Sequence, residues 1–208
     1  MPLVLVTDAT GEPVVSLDVR HWLRLSTSDT AAEDAILDNM IKTARVECEN
    51  YTRRICMPQT WKYILDDFPS STEQIILPLA PVSSTVADVT ITFIEDASGQ
   101  STTLPATCYT VDYYSDPPRV YPTYGNEWPD NVRDIPNAVT IQAIYGYQVA
   151  ALTSTATTPQ PIRDWIKMRV GAAYENRESL SLSNVQNVQL GHDYFMGLLD
   201  PYVRPEVY

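Results

Sequence analysis

The chain of 208 residues has little of what catalysis and covalent stapling require: two histidines, three cysteines and seven glycines. Cys48, Cys56 and Cys108 form no CxxC pair and have no histidine cluster near them, so the spacing supports neither a zinc site nor a redox motif. Idle or buried thiols and an intracellular site of synthesis fit that usage. The glycines build neither GxGxxG nor GxxxxGK[ST], so no loop is composed to cradle phosphates. No apolar run approaches the roughly 18 residues of a membrane span. The apolar run at residues 3–6 is too short for a secretory signal and has no basic residues ahead of it. A soluble chain is therefore expected.

Basic charge is scarce as well. Fourteen Lys and Arg stand against 26 Asp and Glu, a formal net charge of −12. Such a balance disfavours a surface that grips phosphates. It is compatible with a wall past which a duplex slides without sticking.

What is present is led by residues 30–54, TAAEDAILDNMIKTARVECENYTRR. Ile36, Leu37, Met40, Ile41, Ala44, Cys48 and Tyr51 recur at three- and four-residue steps, which predicts one long amphipathic helix. Asp34, Asp38, Lys42, Arg45, Glu49 and Arg53 occupy the rest of its surface and are expected to face outward. Thr30 and Glu33 make a capping box at the start, and Met57-Pro58 stops the helix. Ahead of it, residues 1–13 read as an extended lead, and SLDVRHWLRL as a short helix capped by Ser16 with Leu17, Trp22, Leu23 and Leu25 on its apolar side.

Residues 58–148 change texture and predict an all-β insertion. QTWKYILDDFP alternates large and polar residues, IILP is a short apolar strand, and VADVTITFIE sets Val89, Ile91 and Phe93 against Thr90, Thr92 and Ile94. Asp96-Ala97-Ser98-Gly99 is turn chemistry that returns the chain through residues 100–104. Residues 108–114 and 119–121 predict two short strands, and NAVTIQAIYGY the last. Residues 149–160 read as a linker, with a helix from Pro161 to about Glu178 on the face Ile162, Trp165, Ile166, Arg169, Val170, Ala173 and Tyr174. Residues 179–208 lose periodicity and form an extended tail. The expected class is α+β: residues 14–57 and 161–178 as a small helical bundle, the antiparallel insertion and the tail.

No catalytic constellation emerges. His21 sits beside Trp22 and His192 beside Asp193, neither near a nucleophile. Asp66-Asp67 point to opposite faces of a strand. No enzyme activity, metal or cofactor is expected. The denser feature is aromatic: Tyr109, Tyr113, Tyr114, Tyr121, Tyr124 and Trp128 interleaved with Asp112, Asp116, Asn126 and Asp130. Tyr113, Tyr121, Tyr124 and Trp128 could form a partner surface. The same cluster could serve as the platform of a carbohydrate-binding or adhesin-like module, which is the alternative reading of function.

Several segments together resemble the head-tail connector, or adaptor, proteins of tailed phages and related gene transfer particles. They are VSLDVRHWLRL at Val15, the helix ending in ECENYTRR, QTWKYILDDFP, IILPLAPV, YGNEWP at Tyr124, NAVTIQAIYGY and YENRE at Tyr174. The resemblance implies a structural virion protein without enzymatic activity, forming a ring of twelve copies at the capsid portal vertex. It implies the portal protein and a stopper or tail protein as partners, with DNA passing through unbound and no membrane involved. Within that reading, Arg45, Glu49, Arg53, Glu175, Arg177 and Glu178 are expected at the subunit interface. Leu198, Leu199, Tyr202, Val203, Arg204 and Tyr208 are expected to dock into the portal.

Overall fold

The computed structural model describes residues 2–26, 31–83, 88–147, 158–175 and 196–204. The expected Thr30 cap, the linker at 149–157, the segment 176–195 with Arg177, Glu178 and His192, and Tyr208 lie outside the described residues. The chain divides into two compact units, one from residues 2–10 and 57–147, the other from 11–56, 158–175 and 196–204. The class is α+β, as the sequence predicts.

The first unit is all β. Eight strands form in chain order: β1 (Leu3–Thr7), β2 (Gln59–Leu65), β3 (Ile75–Ile76), β4 (Val89–Ile94), β5 (Ser101–Leu104), β6 (Tyr109–Asp112), β7 (Arg119–Pro122) and β8 (Val139–Tyr145). Five make an antiparallel sheet in the order β1-β2-β8-β4-β5, and β3-β7-β6 make a second, also antiparallel. Period-two sequence explains the buried face directly. Val89, Ile91 and Phe93 on β4 and Val139, Ile141, Ala143 and Tyr145 on β8 are all buried, while the intervening residues are partly exposed. The register pairs Ile91 with Ile141 and Phe93 with Val139, so apolar side chains meet across the strands. At the end of β8, Gly146 has φ +121°, and a Cβ there would overlap the Met57 carbonyl. Only glycine tolerates both conditions.

The lead is not a free arm: β1 is the edge strand beside β2, with Leu3 opposite Tyr63 and Leu5 opposite Trp61. The β4–β5 hairpin closes as its turn residues dictate. Gly99 takes φ +65°, its N–H donates to the Glu95 carbonyl at 2.8 Å, and the Glu95 N–H donates to the Gln100 carbonyl at 2.9 Å.

Among its described residues the second unit holds three α-helices, α1 (Ser16–Leu23), α2 (Ala31–Thr52) and α3 (Gln160–Glu175). Its core is Val19 of α1 with Leu37, Ile41, Ala44, Cys48, Ile162, Trp165, Ile166 and Val170, part of the stripes expected on α2 and α3; Ile36 and Arg169 of those stripes are exposed. Alpha1 departs from expectation. Val15, not Ser16, takes the N-cap position, with no side-chain cap. Leu17 and Trp22 are exposed, and the helix turns Val19 and Arg20 inward instead. The reason is electrostatic. Arg20 Nε donates to Asp34 Oδ1 at 2.6 Å, Nη1 lies 3.1 Å from Glu33 Oε2 and also donates to the Ser26 carbonyl at 2.7 Å. The hydrogen bond to Asp34 holds the Arg20 guanidinium above its ordinary range. A buried arginine held through Nε and Nη1 by two carboxylates on α2, its Nη2 without a partner among the described residues, turns this side of the short helix inward.

Candidate functional site

The chemistry of the helical unit gathers on α2. Arg45, expected on the outer face, is 1% exposed and lies in the interior. Its Nε donates to Glu12 Oε2 at 2.7 Å and its Nη1 to Glu49 Oε2 at 2.9 Å. Glu49, 8% exposed, uses its other oxygen to accept the Cys56 N–H at 2.8 Å. Glu49 therefore satisfies both the arginine one turn before it and a backbone donor seven residues on. Cys48 and Cys56 are buried beside this knot, and hydrogen bonding with Cys48 plus burial push the Cys56 thiol well up from its ordinary range. A raised thiol pKa disfavours the reactive thiolate of Cys56.

The placement of Arg45 and Glu49 corrects the outward assignment, and helical spacing explains why it misled. Arg45 lies one position from Ala44 and three from Cys48, at the margin of the apolar stripe, where its long stem reaches the core. Arg53 is exposed past the end of α2, in a left-handed turn with φ +56°. Glu175, the last residue of α3, is exposed as well. The expected contact residues thus divide into an internal pair, an exposed pair and two, Arg177 and Glu178, outside the described residues.

The terminal segment also folds onto its own unit. Leu199 is fully buried and Arg204 nearly so. Asp200–Tyr202 form a 3-10 turn, the Tyr51 hydroxyl donates to Asp200 Oδ1 at 2.9 Å, and Arg54 Nε donates to the Tyr202 carbonyl at 2.8 Å. The Arg204 N–H closes on the Thr52 carbonyl at 3.1 Å, satisfying a group that α2 leaves open at its C-terminus. Leu199 and Arg204 are therefore buried within the chain's own helical unit. Leu198 and Tyr202 are partly exposed and Val203 is exposed.

Between α2 and α3 lies a cleft of about 330 Å³, with Ile36, Met40, Ala44 and Ala173 as its apolar lining and the Glu47–Arg169 ion pair (2.8 Å) in its wall. Ile36 remains exposed there.

In the β unit the aromatic cluster does not assemble into one platform. Trp128, 5% exposed, stacks on Phe68 with ring centroids 5.1 Å apart and planes 4° apart. Its Nε1–H donates to the Glu73 carbonyl at 2.7 Å. It is a core residue, pinned at both ends of the ring system, because an indole with a partner for its N–H is cheap to bury. Tyr109 is buried and donates to the Val89 carbonyl at 2.6 Å. Tyr113 is half-buried, with its hydroxyl enclosed. Tyr121 is exposed, and Tyr114 and Tyr124 are fully so. The loss of Trp128 from the surface removes the central ring of the carbohydrate-platform reading. Asp112 instead serves the loop after β6: Ser115 and Arg119 side chains and the Tyr114 and Ser115 N–H groups all bond to it. The Ser115 hydroxyl and the Arg119 guanidinium hold its carboxyl well below the usual carboxylate range.

An extended lead does not by itself foretell the edge strand β1, where Leu3, Val4, Leu5 and Val6 are 37–47% exposed. Alternation-free apolar runs of this kind are the signal that would have found it. Among the described residues, no group of three or more His, Cys, Asp or Glu stands together as a metal site, and no helix is long and apolar enough to cross a membrane.

Chains of similar fold are found in solved particles. A chain from the neck of an empty gene transfer agent (GTA) particle computed with C6 symmetry superposes with a TM-score of 0.73 at 21% identity, covering 100% of this chain and 98% of its own. The fold is that of a GTA neck chain. A chain in the virion of a native GTA particle matches with TM-score 0.72, and one in a native neck computed with C12 symmetry with 0.71, each at 20% identity over the same shares. No protein-family model and no curated protein matches this chain.

Proposed function

We propose that this chain is a structural virion protein, an adaptor that forms a ring in the neck of a phage or gene transfer particle, between the portal and the stopper or tail. The observation that carries the reading is likeness over the whole chain to chains solved in necks with sixfold and twelvefold symmetry. Rings of twelve copies follow from the resemblance in sequence. The net charge of −12 suits a passage that DNA crosses without binding, since an acidic wall repels phosphates at close range. The role needs no catalytic residue, cofactor or metal. It places the protein at the portal vertex of the particle after synthesis in the host cytoplasm.

A closed ring joins two different patches of each subunit. Within the helical unit the exposed Arg53 and Glu175, with Arg177 and Glu178, are proposed as contact residues, and the cleft walled by Glu47 and Arg169 as a second place where a neighbour's apolar side chain would seat. Leu198, Tyr202, Val203 and Tyr208 are proposed as portal contacts, while Leu199 and Arg204 hold the segment to α2. In the β unit, Tyr121 and Tyr124 are proposed for a partner surface. Imaging of the purified chain, alone and with its portal, tests the reading. Rings of about twelve subunits are expected. A chain that stays monomeric at every concentration and with portal present would overturn it.

A further inference from the structure

The five-stranded sheet ends in two edges of different character, β1 and β5, which no other strand pairs among the described residues. At one, β1 exposes four aliphatic side chains along Leu-Val-Leu-Val. At the other, β5 exposes Ser101, Thr102 and Thr103. An open edge presents a row of N–H and C=O groups ready to bond another strand, and chains blunt such edges with lysine, proline or inward charge. Leu3–Thr7 contains none of these. Its one irregularity is a register shift between Leu5 and Thr7.

The ladders identify the outward groups. The Ile64 N–H donates to the Pro2 carbonyl at 3.2 Å, and antiparallel pairs alternate between bonded and non-bonded. Pro2 and Val4 therefore bond toward β2, while Leu3 and Leu5 turn their backbone groups outward. On β5, the bond from the Glu95 N–H to the Gln100 carbonyl fixes Thr102 as inward and Ser101 and Thr103 as outward. Each edge offers two outward residues at the same spacing. Every neighbouring pair in β1-β2-β8-β4-β5 is antiparallel, so β1 and β5 run in the same direction.

We infer that β1 of one subunit pairs in parallel with β5 of the next, continuing the sheet around the ring. This rests on the ring reading above. A head-to-tail contact needs two different, complementary patches, and opposite edges of one sheet supply them. Strand sense follows from symmetry: a step of about 30° in a twelvefold ring, or about 60° in a sixfold one, cannot reverse a strand. Pairing of β1 with a second β1 would stop at a dimer and leave β5 open.

Cysteine cross-linking on a Cys108→Ser background tests the contact. Val4→Cys is combined in turn with Thr102→Cys and with Thr103→Cys, whose side chains lie on opposite sheet faces, so both registers are covered. Oxidation is expected to give a covalent ladder extending past the dimer, only when both cysteines are in one chain. Leu5→Pro supplies an independent readout. It removes an N–H that β2 does not use, so the unfolding midpoint should hold while the concentration for half-assembly rises by about tenfold or more. Should Leu5→Pro unfold, the cysteine pairs decide alone. Rings visible by imaging with no ladder from either pair, or dimers from Val4→Cys alone, would overturn the edge pairing and leave the ring reading standing. Absence of rings and ladders alike, with portal present, would instead sink the ring reading.

Discussion

Replacing Arg45 by Met puts the interior knot of the helical unit to the test. Arg45 neutralises Glu49, which is itself almost buried, and Glu12 at the margin. Methionine fills much of the space but leaves both carboxylates without their cation. Removing one partner of a buried pair costs about 3–5 kcal/mol, most of it the desolvated charge left behind. Adding Glu49→Gln removes that charge and keeps an oxygen to accept the Cys56 N–H. The double variant should therefore recover roughly 1–3 kcal/mol relative to Arg45→Met alone, a coupling typical of residues in direct contact. Urea unfolding followed by far-ultraviolet circular dichroism, which reports mainly the helices, measures both. A loss below about 1 kcal/mol for Arg45→Met, the range of an exposed ion pair, would refute the interior placement. So would a double variant weaker than the single one.

Three further outcomes follow. Trp128→Ala should cost about 3–5 kcal/mol through the cavity beside Phe68, whereas Tyr124→Ala, at a fully exposed ring, should stay within about 0.5 kcal/mol; thermal melts of the two variants compare them. Gly146→Ala should destabilise the β unit strongly or prevent its folding, because both φ and the Met57 carbonyl oppose a side chain, and soluble yield with near-ultraviolet circular dichroism reads this. Asp112 has a folded pKa held below its unfolded value, so its stabilisation is complete above about pH 4 and is lost as pH falls below that. Protection of the Ser115 amide, its exchange rate relative to the intrinsic rate at each pH, should fall over that acid range in the native chain and should be low throughout in Asp112→Asn.

The sequence was most readable where local pattern and final environment agree. Beta4 and β8 alternate strictly because one face of each is buried, and the long stripes on α2 and α3 are wide enough to specify their inward faces. Reading failed where a long-range polar contact took over. Arg20 and Arg45 look like solvent-facing charges until Asp34, Glu33, Glu12 and Glu49 surround them, and those carboxylates lie as many as 33 positions away in the chain. Trp128 looked exposed because its neighbours are polar, yet its stacking partner Phe68 and acceptor Glu73 come from a distant loop. Leu199 stands two residues before Pro201 and after a long unpatterned stretch, so its local sequence does not say what buries it. The edge position of β1 depends on pairing with β2, more than fifty residues on, which no periodicity encodes.

Labelling the chain within intact particles of the producing organism tests the neck assignment most directly. A small epitope tag in the exposed Asp96–Gly99 turn, visualised with gold-conjugated antibody or by electron cryomicroscopy, should mark one site per particle, at the junction of head and tail. Label spread over the capsid faces, or confined to the distal tip of the tail, would contradict the assignment.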